Sequence, residues 1–132
     1  MINRLPESFS VHNHIEITDV DEGWAKCRLE IHPDTMNLWG FPHGGALFSL
    51  VDVAAGTAAF TLRQDLCVTV QSNVEFLAPA PTTGSIWGEG KVLRCGRKLC
   101  FCQADLCDEA GSLLVHASVI MSFSTPKPET DK

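Results

Sequence analysis

The sequence predicts an α+β domain in which one long helix packs against an antiparallel sheet. Two observations predict this fold class. Residues 45–62 form one long helix-like segment rich in small apolar side chains, and shorter segments on both sides of it alternate apolar and polar residues as strands do. A chain of 132 residues suits one domain, so we expect a single domain over 1–132, with its core at about 10–124 and a polar tail at 125–132.

Two strands are predicted before the helix. Residues 14–19 (HIEITD) alternate weakly and end at the turn-like cluster DVDEG. Residues 24–31 (WAKCRLEI) alternate more clearly, as expected for a strand with one solvent-exposed face. Residues 32–45 contain two prolines, three glycines and an asparagine, so we expect them to form a loop.

Four strands are predicted after the helix. Residues 67–78 are rich in β-branched side chains and stop at a pair of prolines. Residues 85–96, 98–108 and 113–124 follow, and the turn-like sequences CGRK and DEAG separate them. We expect the four strands to form a meander.

The predicted helix has two different sides when its residues are placed at intervals of about 100°. One side is the expected core stripe, formed by Leu47, Leu50, Val51, Ala54, Ala58 and Leu62. The other side carries mostly small side chains, where a solvent-exposed side would carry charged ones. It holds Asp52 among Gly45, Phe48, Ser49, Ala55, Gly56 and Ala59. Glycine inside a helix costs about 1 kcal/mol relative to alanine, which indicates close approach by another group near Gly56. We therefore expect this side to meet another subunit or a ligand.

Asp52 is the only ionisable residue within 45–62. A buried, unpaired carboxylate costs several kcal/mol, so Asp52 has a chemical role, pairs with an arginine across an interface, or is solvated. Gly44 and Gly45 lie where the helix begins, and free backbone N–H groups there can stabilise a developing oxyanion. Because nine helical residues rise ~13 Å, a site built from two chains fits these groups better than one within a single chain.

Composition excludes several functional classes. The net charge of −6 and the pI of about 5.2 argue against general binding to nucleic acid or anionic membranes. The first residues, MINRLPESFS, lack the apolar run of a signal peptide, and no segment approaches the ~18–20 uninterrupted apolar residues of a membrane span. We expect a soluble, cytoplasmic protein.

The cysteines and most histidines show no metal-binding motif. The six cysteines include no C-x-x-C pair, so we expect reduced, buried thiols instead of a zinc site. Cys100 and Cys102 should share one face of a strand. No motif surrounds four of the histidines, which we interpret as surface or strand residues: His12, His14, His32 and His116.

One motif carries a family resemblance. The run from Asn37 to Gly45, followed by Asp52, reads N-x-x-G-x-x-H-G-G-x6-D without a gap. It resembles the signature of the hotdog-fold acyl-CoA thioesterases, and is closest to the PaaI-like (phenylacetate-degradation type) branch of the 4-hydroxybenzoyl-CoA thioesterase superfamily. The sequence VTVQSNVEFLAPA, the pair Gly96-Arg97 and the DEAG hairpin also resemble this family, so the likeness covers about residues 10–124.

The resemblance implies a fold, a reaction and roles for five residues. The fold is a long central helix wrapped by a curved antiparallel sheet, and the reaction is hydrolysis of an acyl-CoA thioester to free acid and CoA. Asp52 matches the catalytic carboxylate, acting as general base or nucleophile, and the backbone N–H of Gly44 matches the oxyanion donor from the partner subunit. Asn37 and His43 match residues that orient the substrate or water and shape the loop, and Thr69 matches a hydroxyl that holds the water or the aspartate.

The resemblance also implies an assembly and a substrate site. Relatives form homodimers with two sites at the interface, usually paired into homotetramers, and need neither a metal nor a cofactor. Arg94, Arg97 and Lys98 lie in the one basic cluster of the chain, which is either a contact for the CoA phosphates or a solvated hairpin end. The acyl group, aromatic or of medium length, is expected beside Trp39, Phe41, Gly45 and Phe48.

Two other functions stay open at this point. One is a hotdog dehydratase or hydratase acting on β-hydroxyacyl thioesters, which the spacing of Asn37, His43 and Asp52 fits less well. The other is a non-catalytic acyl-CoA-binding module, against which the presence of Asp52 argues.

Overall fold

The computed structural model describes residues 8–124, so the predicted tail at 125–132 lies outside the described residues. One short helix, two strands and a 3-10 turn precede the long helix, and four strands follow it. In chain order the elements are α1 (Phe9–His12), β1 (Ile15–Asp21), β2 (Trp24–Glu30), the 3-10 turn (Pro33–Thr35), α2 (Gly44–Arg63), β3 (Leu66–Phe76), β4 (Ser85–Cys95), β5 (Leu99–Cys107) and β6 (Leu113–Ser124).

The six strands form one antiparallel sheet in the order β1-β2-β4-β5-β6-β3. The expected meander is therefore wrong for β3, which pairs with β6 instead of β4. The connection from β3 to β4, residues 77–84, contains two prolines and is longer than the two to five residues of an ordinary hairpin loop. The chain uses this connection to cross from one edge of the sheet to its centre, which leaves β1 and β3 as the two edge strands.

Helix α2 lies against the sheet and contacts all six strands. This is the hotdog arrangement, and the predicted fold class is confirmed. Five residues of the expected core stripe are buried, while Leu62 is half-buried. The assignment of Ala55 and Ala59 to the outward side was wrong, because both are fully buried. The curved sheet covers more of the helix than a flat sheet would, so only part of the second side stays open.

By length and composition alone, α2 would be able to cross a membrane, although Asp52 interrupts its apolar run. The structure shows why a helix of a globular domain has this composition. Leu50, Val51 and Ala54 are fully buried between α2 and the sheet, so the apolar side chains serve the core of the domain.

The helix backbone lies directly on β4 at Gly90. A Cβ atom at Gly90 would lie 2.1 Å from the carbonyl oxygen of Ala54 and 2.9 Å from the nitrogen of Ala55. Two residues earlier on the same strand, a Cβ at Gly88 would lie 3.0 Å from side-chain atoms of Leu50 and Leu106. Small residues on both sides, Ala54 and Ala55 on the helix and Gly90 on the strand, therefore allow α2 to approach β4 closely.

All six cysteines are free, and burial controls their chemistry. Cys100 and Cys102 face the core from one side of β5, as expected, with their sulfur atoms 3.8 Å apart. Burial raises the pKa of Cys27 to about 12 and is the main cause that raises the pKa of Cys102 to about 11. Cys95 is exposed, which corrects the expectation of buried thiols at that position. Among residues 8–124, no cysteine belongs to a cluster with metal-ligand spacing.

We expect Gly90→Ala to destabilise the domain more than Gly88→Ala. The new methyl group at position 90 meets helix backbone, which cannot move without displacing α2, whereas the one at position 88 meets leucine side chains that can rotate. Overpacked cores typically lose about 1–3 kcal/mol, and we expect Gly90→Ala to lie at or above the top of that range. Urea unfolding followed by circular dichroism measures both variants, and equal midpoints would contradict the backbone contact.

Candidate active site

The start of α2 combines a side-chain cap with an open backbone donor. Nδ1 of His43 accepts a hydrogen bond from the N–H of Gly45 at 2.8 Å and thereby caps the helix. A Cβ at Gly45 would lie 3.0 Å from that same nitrogen, so glycine here makes room for the imidazole ring. The N–H of Gly44 has no acceptor within residues 8–124. It therefore stays available at the positive end of the helix dipole.

Asn37 holds the loop that leads into this helix. Its side-chain oxygen accepts hydrogen bonds from the backbone N–H groups of Trp39, at 2.9 Å, and Phe41, at 3.1 Å. Its backbone N–H donates to the carbonyl oxygen of Phe41 at 2.7 Å. Gly40 has a φ of +81°, in the left-handed region that favours glycine. Asn37 and Gly40 of the motif thus shape the loop, and the side-chain N–H groups of Asn37 donate to no acceptor among residues 8–124.

A cavity of about 520 Å³, here called the loop cavity, brings four predicted site residues together. They are Asn37, Trp39, Phe41 and Gly44, and the ring of Phe76 from β3 lines the same space. His43 and Gly45 line a separate cavity of about 290 Å³. Phe48, predicted to line the acyl pocket, is exposed one helical turn after Gly44 and lines neither cavity.

Asp52 and Thr69 face each other across the space between α2 and β3. The hydroxyl of Thr69 donates a hydrogen bond to Oδ1 of Asp52 at 2.5 Å, and Asp52 is half-buried. Together they line a cavity of about 700 Å³, here called the carboxylate cavity. Its other walls are largely apolar and include Ile17, Val53, Gly56, Phe60, Leu66, Val68 and Met121.

A β-bulge in β3 aims Thr69 at the helix. Thr69 pairs with Met121 of β6, but the next paired residue, Gln71, faces Ile120, so β3 holds one extra residue here. Beyond the bulge, Ser72 lies opposite the buried Val119 and shares the helix-facing side. Without the extra residue, Thr69 and Ser72 would lie on opposite faces of the strand.

The surroundings of Asp52 leave its charge uncompensated within one chain. No lysine, arginine or histidine forms an ion pair with Asp52 among residues 8–124. Burial raises the pKa of the neighbouring Cys67 thiol, and the negative charge of Asp52 raises it further. Cys67 therefore stays protonated beside the carboxylate, which argues against a cysteine nucleophile in this cavity.

The predicted basic cluster lies at the other end of α2. Arg94 is exposed on β4, and Arg97 and Lys98 are exposed in the turn between β4 and β5. None of them lines the loop cavity or the carboxylate cavity of the same chain.

Arg63, which sequence reasoning missed, links this turn to the carboxylate cavity. It donates hydrogen bonds to the carbonyl oxygens of Gly96 and Arg97 and pairs with Asp65 at 2.7 Å. Asp65 in turn lines the cavity of Asp52. The sequence did contain a signal for this link, because Arg63 lies in the last turn of the helix and Asp65 follows two residues later.

One chain does not bring Gly44 and Asp52 to the same point. They line different cavities, and Asp52 lies eight residues after Gly44, a rise of about 12 Å along the helix. The structure therefore holds two separate groups of candidate site residues, here called half-sites. One has an open N–H donor, and the other has a carboxylate and a hydroxyl.

Comparison with known proteins places the chain among thioesterases. The sequence profile of the thioesterase superfamily matches residues 40–122. Acyl-coenzyme A thioesterase 13 of Homo sapiens is 28% identical over 102 residues, which cover 76% of this chain and 73% of that protein.

Solved structures show the same fold. A hypothetical thioesterase protein of Streptococcus pneumoniae, solved with coenzyme A, superposes with a TM-score of 0.79 at 24% identity, covering 86% of this chain and 88% of that one. The phenylacetic acid degradation protein PaaI of Thermus thermophilus superposes with a TM-score of 0.81 at 19% identity, covering 88% and 98%.

We expect His43→Ala to destabilise the domain and His43→Asn to leave it nearly as stable as the wild type. Alanine removes the cap acceptor of α2, which costs roughly 0.5–2 kcal/mol, whereas asparagine can cap in place of the imidazole. Urea unfolding measures the difference. Equal stability of the two variants would contradict a capping role for the ring.

Proposed function

The chain belongs to the thioesterase superfamily and is a thioester hydrolase, and on that premise we propose that it hydrolyses acyl-CoA thioesters to free acid and CoA. The observation that carries the proposal is the half-buried Asp52, held by Thr69 in a largely apolar cavity. Such a cavity offers an acyl group apolar contacts beside one ionisable oxygen. The relative named for acyl-coenzyme A and the neighbour solved with coenzyme A support the choice of thioester.

The proposed reaction uses the carboxylate and the open N–H donor together. The Gly44 N–H stabilises negative charge on the thioester oxygen, because it lies at the positive end of α2 and has no acceptor of its own in residues 8–124. Asp52 either removes a proton from the attacking water or attacks the carbonyl carbon itself. In the first route the C–S bond breaks, and the proton that Asp52 took from water passes to the sulfur, so that CoA leaves as the thiol. In the second route CoA leaves as a thiolate, and water then hydrolyses the anhydride between Asp52 and the acyl group to free acid. One of the water protons neutralises the thiolate. These steps call on no metal and no organic cofactor.

We propose that the two half-sites meet across a homodimer. Strand β3 is an edge strand that no other strand among residues 8–124 pairs on its outer side, and its side chains Leu66, Val68 and Val70 are exposed. Long apolar edge strands are normally paired or covered. A second copy on this edge would cover them beside the carboxylate cavity, and pairs of such dimers would form the proposed homotetramer.

The same arrangement indicates which residues contact the acyl group and which contact the CoA phosphates. Trp39, Phe41 and Phe76 line the loop cavity, which favours an aromatic or medium-length acyl group. Arg94, Arg97 and Lys98 are exposed cations at the far end of α2, and we propose that they contact the CoA phosphates.

We expect Asp52→Asn and Asp52→Ala to reduce thioester hydrolysis at least about a hundredfold, because both remove the carboxylate that activates water or attacks the thioester carbonyl. Release of free thiol from a panel of saturated and aromatic acyl-CoAs measures the loss. Asp105→Asn serves as the control, since Asp105 hydrogen bonds to His116 on the face of the sheet away from α2.

Other outcomes of this assay identify the alternatives. Loss of water from a β-hydroxyacyl-CoA without thiol release would indicate the dehydratase. Tight binding of acyl-CoA without turnover by the wild type would indicate the non-catalytic module.

Mixing two inactive variants tests the two-chain site. Gly44→Pro removes the donor N–H while fitting the first position of a helix, where proline is tolerated. The residue before it, His43, already has the extended backbone that proline favours. We expect a refolded equal mixture of Gly44→Pro and Asp52→Asn to regain about a quarter of wild-type activity, because half of the dimers are mixed and each of these has one intact site. No recovery, in mixed dimers confirmed by mass spectrometry, would place the whole site in one chain.

A further inference from the structure

Three side chains of metal-ligand type meet near the start of β1, outside both half-sites. His14 follows α1, while His32 caps the 3-10 turn after β2 and Asp34 lies within that turn. Oδ2 of Asp34 lies 3.3 Å from Nε2 of His14 and 3.3 Å from Nδ1 of His32. The potential ligand atoms all lie within 4.8 Å of one another.

The contact between His32 and Asp34 brings two hydrogen-bond acceptors together. Nδ1 of His32 accepts a hydrogen bond from the backbone N–H of Asp34 at 3.1 Å, so this nitrogen presents a lone pair. The same nitrogen lies 3.3 Å from a carboxylate oxygen, which is also an acceptor. Two acceptors at this distance repel each other unless a cation lies between them.

We infer that His14, His32 and Asp34 bind a divalent transition metal of the zinc class. Tetrahedral zinc with bonds of roughly 2.0–2.2 Å to nitrogen and oxygen places neighbouring ligand atoms about 3.4 Å apart. Both nitrogen-to-oxygen distances match this value. Two imidazoles with one carboxylate suit zinc, whereas calcium and magnesium prefer ligands that are all oxygen. Water fills the fourth position.

The rings of His14 and His32 are stacked, with their centroids 4.0 Å apart. The stacked rings mean that one ring turns when a metal binds. His32 is the freer ring, since 40% of its side chain is exposed.

The proposed metal site would hold in place the segment that leads into the loop beginning at Asn37. The carbonyl oxygen of Thr35, next to Asp34, accepts the backbone N–H of His43 at 2.8 Å. A metal that joins this turn to His14 ties the start of β1 to the residue that caps α2. Its effect is on the stability of the fold, and it takes no part in breaking the thioester.

The test is zinc binding to the chelator-treated full-length protein, measured by competition with a chromophoric chelator. We expect one equivalent to bind to the wild type, and His14→Asn and Asp34→Asn to bind at least about tenfold more weakly. Asparagine tolerates the left-handed backbone of His14, whose φ is +61°, so that variant keeps the fold. His12→Asn is the matched control, because it makes the same substitution at an exposed histidine two residues away.

Cobalt separates this site from the free thiols. Cobalt(II) bound to nitrogen and oxygen shows visible d–d absorption without the near-ultraviolet band of a cobalt–thiolate bond. Equal zinc affinity in the wild type and both site variants, a thiolate band, or no binding at neutral pH would each overturn the inference. Binding that is lost in both variants and kept in His12→Asn, with a raised unfolding temperature in zinc, would establish it.

Discussion

The direct contact between the α2 backbone and Gly90 is the constraint on which the rest of the structure depends. With no side chain between helix and strand, the sheet can wrap around α2 until all six strands touch it. The core then consists mainly of small side chains on the helix and larger ones on the strands. Because the sheet covers so much of α2, only part of the helix surface stays open. That part includes the exposed Phe48 and the half-buried Asp52 and Gly56, the last two beside edge strand β3.

This arrangement explains how a carboxylate is held on an otherwise apolar helix. Asp52 lies where the sheet ends, so it is half-buried and has one firm partner, the hydroxyl of Thr69. The β3 bulge supplies that partner, since it lets Thr69 and Ser72 both face the helix. A paired arginine would neutralise Asp52 and make it less useful as a base or nucleophile, and none pairs with it within residues 8–124.

The paired glycines at the helix start have different tasks. Gly45 makes room for the ring of His43, which uses the N–H of Gly45 as its hydrogen-bond partner. Gly44 keeps its own N–H open and has only ordinary van der Waals contact with the ring of Phe76 at its Cβ position. His43 is therefore primarily a cap in this chain, and the proposed oxyanion donor is the backbone N–H of Gly44. Gly44 and Asp52 line different cavities, which is why the proposed site draws on two chains.

Local sequence determined most elements of this protein. The 3.6-residue pattern of 45–62 and the alternation of the strands predicted the long helix and the six strands, because these signals act between near neighbours, whereas α1 and the 3-10 turn were not predicted. The glycines at the helix start and its lone carboxylate pointed to Gly44 and Asp52, and only the family resemblance pointed to Asn37 and His43. Tertiary structure decided the rest. The pairing of β3 with β6, the bulge at Thr69, the burial of Ala55 and Ala59, the role of Arg63 and the meeting of His14 with His32 and Asp34 all depend on residues far apart in the chain. Such contacts form only when the sheet closes around the helix, and periodicity in a single sequence carries no record of them.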